Sequence, residues 1–139
     1  MNIDNEFKHN KAYLMRYRKI HTKIDRLKDK LNRLNKRYDL KGVSYSSEPS
    51  SSVKKTLDDV LAQKEYLENK LDEMVSESID IRNEITEKLL DLDNQLEATV
   101  LDFYFLEQYS LNDIADELSY SDRQIERLYV DGIMSVECR

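Results

Sequence analysis

From residue 13 to residue 38 the apolar side chains recur at steps of 4, 3, 4, 3, 4, 3 and 4: Tyr13, Tyr17, Ile20, Ile24, Leu27, Leu31, Leu34 and Tyr38. That alternation is a coiled-coil seam, with Tyr17, Ile24, Leu31 and Tyr38 at a positions and Tyr13, Ile20, Leu27 and Leu34 at d. Asn10 falls at the preceding a position, and Arg16, Lys23, Lys30 and Arg37 fill successive g positions beside the seam. A helix is expected from about residue 4 to about residue 40, with Gly42 as its stop.

The segment after it, GVSYSSEPSSS, holds Gly42, Pro49 and a run of serines, so a loop is expected near 41–52, with Ser51 or Ser52 as the next cap. Beyond it, Val53, Leu57, Val60, Leu67, Leu71, Met74, Ile81 and Ile85 repeat at 3, 4 and 7. A short loop favours antiparallel neighbours. Folding the chain back about it pairs Leu34 with Leu57, Leu31 with Val60, Ile24 with Leu67, Ile20 with Leu71 and Tyr17 with Met74. The same register brings Arg16 toward Glu77. Leu89, Leu92 and Leu96 then break the step, and Asn94–Glu97 has the form of a capping box, so a hinge or new helix is expected near Asp93–Asn94.

Charge is unevenly spread. Residues 1–42 carry 13 Lys and Arg against 5 Asp and Glu, residues 43–99 carry 6 against 14, and residues 100–139 carry 3 against 9. The basic first third either contacts nucleic acid or packs on an acidic helix of the same molecule. With 36% charged residues, two glycines and one proline, the chain suits long solvent-washed helices. No apolar run reaches the roughly 20 residues of a membrane span, so no membrane partner is expected and a cytoplasmic protein is.

An enzyme is not expected. His9 and His21 lie twelve apart on a long helix, Cys138 is alone, and Asp58–Asp59 and similar pairs read as surface charge. No Gly-rich phosphate loop exists, and neither metal nor cofactor is implied.

The stretch SLNDIADELSYSDRQIERL, residues 110–128, spaces its residues as a helix-turn-helix does. Ser110 starts one helix; Ile114, Leu118 and Ile125 mark a core; Ala115 permits close approach; Tyr120 lies in the turn; Ser121 with Gln124 makes a capping box; Leu128 closes the pattern. The preceding EATVLDFYFLEQY adds Val100, Leu101, Tyr104 and Phe105. Helices are expected near 95–108, 111–118 and 122–131.

This block resembles region 4 of sigma-70-type factors, which reads a promoter element. With the long first helix and the Gly-Val-Ser-Tyr loop, the chain is similar to a family of small phage and prophage proteins of Gram-positive bacteria. The resemblance implies an all-α fold: a long antiparallel helical hairpin over 1–93, then a helix-turn-helix domain of sigma region-4 type over 94–139. It implies a phage-type transcriptional regulator in a bacterial host cell that binds DNA, in one arrangement as a homodimer.

Carried over by position, Ser121, Arg123, Gln124, Glu126 and Arg127, and at the edge Val130, face the DNA. Arg123 or Arg127 would pair with guanine, Gln124 with adenine and Glu126 with cytosine N4, while Ser121 and its helix end would hold a phosphate. Lys23, Lys30 and Arg37 are candidate phosphate contacts. The turn carries Ser119 where the family has Gly, and the unit is acidic, which opposes phosphate binding. The alternative is a helical adaptor or inhibitor that docks on a basic protein surface, such as host RNA polymerase or another bacterial protein.

Overall fold

The computed structural model describes residues 2–38 and 51–138, without the side chains of 51–55. The expected loop and the side chains of its capping serines lie wholly or partly outside these residues. All regular structure among the described residues is helical: α1 (Ile3–Tyr38), α2 (Ser51–Leu90), α3 (Gln95–Leu101), α4 (Leu111–Leu118) and α5 (Asp122–Ser135), with a π-helical segment over Asp102–Leu106 between α3 and α4. No described helix is long and apolar enough to cross a membrane.

Two compact units share the two long helices. One comprises residues 21–77; the other joins residues 1–20 to residues 78–139. The division therefore does not fall at residue 93. The first twenty residues and the end of α2 belong with the C-terminal helices.

In the two-helix unit the seam residues Ile24, Leu31, Val60 and Leu67 are buried, and Leu27, Leu34, Leu57, Leu71 and Met74 are half-buried. A narrow stripe is all that two helices can bury. Its described ion pairs are local ones along α2, Lys64–Glu68 and Lys70–Glu73, and on α1 the His21 imidazole lies 3.4 Å from the Asp25 carboxylate. Such exposed pairs contribute only about 0.3–0.5 kcal/mol each.

The second unit is built around Leu14, Ile85, Val100, Leu101, Phe105, Ile114, Ile125 and Ile133, all fully buried. Here α1 runs antiparallel to α2: Arg16 Nη1 donates to Glu84 Oε2 at 2.7 Å, and Arg82 Nη1 donates to the Tyr17 hydroxyl at 3.2 Å. The expected approach of Arg16 to Glu77 is thus displaced along α2 by one heptad, to Glu84. A shift of seven residues preserves every a and d position, so apolar spacing alone does not distinguish the two registers.

α2 ends at Leu90 and α3 begins after Asn94, whose side-chain oxygen accepts from the Leu96 and Glu97 amides. The expected break at Asp93–Asn94 is there. Only half of the expected capping box forms, because the Glu97 side chain is buried against α5 instead. The helix expected to run from 95 to 108 does not stay α-helical. Beyond Leu101 the backbone widens, with Glu107 N–H bonding Asp102 O at 3.0 Å, and Gln108 takes a left-handed φ of 63°. The extra residue in the turn sends Phe105 and Leu106 into the core while Tyr104 stays half-buried.

α5 continues four residues past its expected end at 131. Gly132, a residue that commonly stops helices, sits inside it for want of space: a Cβ there would lie 3.1 Å from Leu101 and 3.3 Å from the Glu97 Cβ. The small residue lets α3 and α5 touch backbone to side chain.

Candidate nucleic-acid interface

α4 and α5 meet through a three-residue turn whose geometry follows from its polar residues. Ser110 Oγ accepts the Asp113 amide at 3.1 Å and starts α4. Ser119 ends it in the left-handed region, φ 59° and ψ 43°, at a cost of about 1 kcal/mol for a non-glycine residue. The Tyr120 amide donates to Ala115 O at 3.0 Å and fixes the reversal. Ser121 then caps α5: its Oγ accepts the Gln124 amide at 3.2 Å, and Gln124 Oε1 accepts the Ser121 amide at 3.0 Å.

Ile114, Ala115 and Ile125 are buried between the two helices, so the opposite side of α5 faces outward. Ser121, Arg123, Gln124, Glu126 and Arg127 are all exposed there, and Val130 is 44% exposed. Arg123 and Arg127, four apart, share one face. Among the described residues neither forms an ion pair, so Glu126 does not neutralise them. Gln124 is different. Its Oε1 accepts from both the amide and the hydroxyl of Ser121, at 3.0 Å each. A bidentate contact with adenine needs that oxygen as the acceptor of the N6 amino group. Gln124 can pair so only by giving up the cap.

Lys23, Lys30 and Arg37 are exposed on α1. They belong to the two-helix unit, whereas the α5 residues belong to the other, so the candidate set is divided between the units. Among the described residues Lys23 and Lys30 form no ion pair. Arg37 lies 5.6 Å over the ring of its neighbour Tyr38. The basic row is therefore not consumed by pairing within the described structure, apart from Arg16 with Glu84. The outward face of α4 is the opposite in sign: Asp113, Asp116 and Glu117 are exposed and, with Tyr109, line a shallow groove.

Of three positioning contacts, two were invisible to periodicity. Arg18 donates Nε to Tyr104 O at 2.8 Å and Nη2 to Tyr109 O at 3.1 Å, and its guanidinium lies 4.0 Å from the centre of the Tyr104 ring. It holds the bend that aims α4. Arg82 donates Nη2 to Glu107 at 2.6 Å, bracing the same bend from α2. Asn10 Nδ2 donates to Ile133 O at 2.8 Å and Val136 O at 3.0 Å, closing the carbonyl end of α5. Asn10 stood out in the sequence as a polar residue in an apolar seam; Arg18 carried no such signal. Behind the outward face of α5, Tyr129 is hydrogen-bonded to Tyr104, and burial first, then Tyr104, pushes its hydroxyl pKa well above the ordinary value.

No family model matches the chain, and neither a curated protein nor a solved structure matches it significantly.

Proposed function

We propose that the chain is a DNA-binding transcriptional regulator of phage type. In this reading α4 and α5 form a helix-turn-helix like that of sigma region 4. The observation that carries the reading is the outward face of α5, where Arg123 and Arg127 stand exposed and, among the described residues, without ion pairs on a helix seated by Ile125. Arginines so held are suited to the paired acceptors O6 and N7 of guanine in the major groove, each good pair discriminating by about 1–3 kcal/mol. Glu126 accepts from cytosine N4, and the capped start of α5, with Ser121, meets a phosphate. The role of Gln124 is to set the start of α5 rather than to read a base.

The acidic face of α4 weakens phosphate binding, so the affinity must be supplied elsewhere. Lys23, Lys30 and Arg37 fill that role, and a homodimer presenting two α5 helices doubles the number of contacts. The same acidic face favours a second reading, in which α4 docks on a basic protein surface such as that of host RNA polymerase.

Fluorescence anisotropy on duplexes selected from a random pool tests the first reading. Binding is expected to fall steeply with salt and to be lost in Arg123→Ala/Arg127→Ala with helicity unchanged. Full retention by that double variant would remove α5 from the interface. Selection of no duplex, together with retention of a basic partner sensitive to Asp116→Lys/Glu117→Lys, would favour the protein-docking reading.

A further inference from the structure

The turn between α2 and α3 and the final turn of α5 enclose a cavity of about 360 Å³, whose lining includes Lys88, Asp91, Asp93, Glu97, Ser135 and Glu137. All belong to one compact unit. Asp91, Asp93 and Glu137 are exposed, whereas Glu97 is only 7% exposed. The Glu97 carboxylate has no hydrogen-bond or ion-pair partner among the described residues. Its stem has a packing role beside Gly132, but an uncharged residue would fill that space as well. The stem is packed away while the carboxylate itself opens to the cavity, where a cation can meet it. Burial, and then the charge of Asp131, raise its pKa.

The chemistry of the lining narrows the class of cation. Four carboxylates face one ammonium, Lys88, so the surplus is negative. Among the described residues, no three His, Cys, Asp or Glu side chains are gathered closely enough to hold a metal ion. Carboxylates set apart in this way suit a cation whose charges are also set apart along a flexible chain. Each ammonium brings three donors and no acceptor.

We infer that this cavity binds a linear polyamine, with the buried Glu97 anchoring one ammonium and Asp91, Asp93 and Glu137 receiving the others at the mouth. The bound chain ties the α2–α3 turn to the end of α5. This inference stands apart from the DNA-binding reading, and its test contains no DNA.

The test is calorimetric titration of the full chain with spermidine at constant ionic strength, with thermal melting alongside. Saturable binding of one spermidine and a raised Tm are expected. Glu97→Gln, which keeps the stem and removes the charge, should weaken binding by at least about tenfold. Asp93→Asn should weaken it less, and Arg123→Ala should not change it. A pH series adds a readout that packing alone does not move. With the folded-state pKa of Glu97 raised, the unliganded protein loses stability at this group as pH rises from the unfolded value through the folded one. Spermidine should remove that loss, and Glu97→Gln should show neither effect. Equal stabilisation by Mg²⁺ or by Nα-acetyl-lysine amide would overturn the assignment of class. Undiminished spermidine affinity in Glu97→Gln, or no saturable binding at all, would overturn the site.

Discussion

The two compact units use one kind of secondary structure to opposite ends. The 21–77 unit is repetitive: buried Ile24, Leu31, Val60 and Leu67 lie along a seam that looks much the same one heptad further on. The other unit repeats nothing. Its core takes one or two side chains from each of six segments, and its polar contacts join groups far apart in sequence, Asn10 to Ile133, Arg18 to Tyr104 and Arg82 to Glu107. Repetition specifies a helix and a face but not an alignment. Irregular polar contacts specify one alignment, because no repeat along the chain replaces a displaced partner, and displacing the Asn10 contact would leave a buried amide without its acceptors.

The sharpest break in that contrast should come from core truncation. Phe105→Ala removes the largest fully buried side chain of the irregular unit and is expected to cost about 3–5 kcal/mol in urea unfolding. Leu67→Ala in the seam should cost nearer about 2 kcal/mol, since two helices can close on the gap. Equal losses would mean that the seam is packed as rigidly as the globular core. A smaller effect tests the polar contacts. Asn10→Ala deprives the Ile133 and Val136 carbonyls of their shared donor and should cost about 1–3 kcal/mol. Hydrogen exchange should quicken in the last turn of α5 and not in residues 21–77. The smallest effect is expected at the turn, where Ser119→Gly relieves a left-handed φ of 59° and should raise stability by about 0.5–1 kcal/mol. A fall in Tm would show that the serine side chain contributes more than its backbone costs.

The same contrast explains what could be read from the sequence. Residues 110–128 were legible nearly position by position. Ile114, Ala115 and Ile125 are buried, Ser110 and Ser121 cap, and Ser119 is left-handed, because each assignment depends on neighbours within a turn or two. The long helices and the break at Asn94 were legible for the same reason. The register was not, since a shift from Glu77 to Glu84 leaves the heptad pattern intact. The π-helical segment escaped because Phe103, Tyr104 and Phe105 suit an α-helix face as well as a widened turn. Among the candidate reading residues the sequence placed all five on the exposed side of α5, and it also gave Gln124 the capping bond with Ser121 that competes with its pairing to adenine. Leu14, fully buried one residue from the expected Tyr13, shows where the seam gives way to a broader face.

The Asn10–Ile133 contact has a consequence for how the chain can be divided and made. Partners 123 positions apart close the α5 end, and Leu14, Tyr17 and Arg18 accompany Asn10 on the same helix. A fragment cut at residue 94 to isolate α3–α5 would leave behind part of its own core and the donor for its last helical turn. During synthesis the first helix emerges with its polar and apolar contacts unmet, and it must wait for nearly the whole remaining chain. Contacts so distant in sequence close slowly.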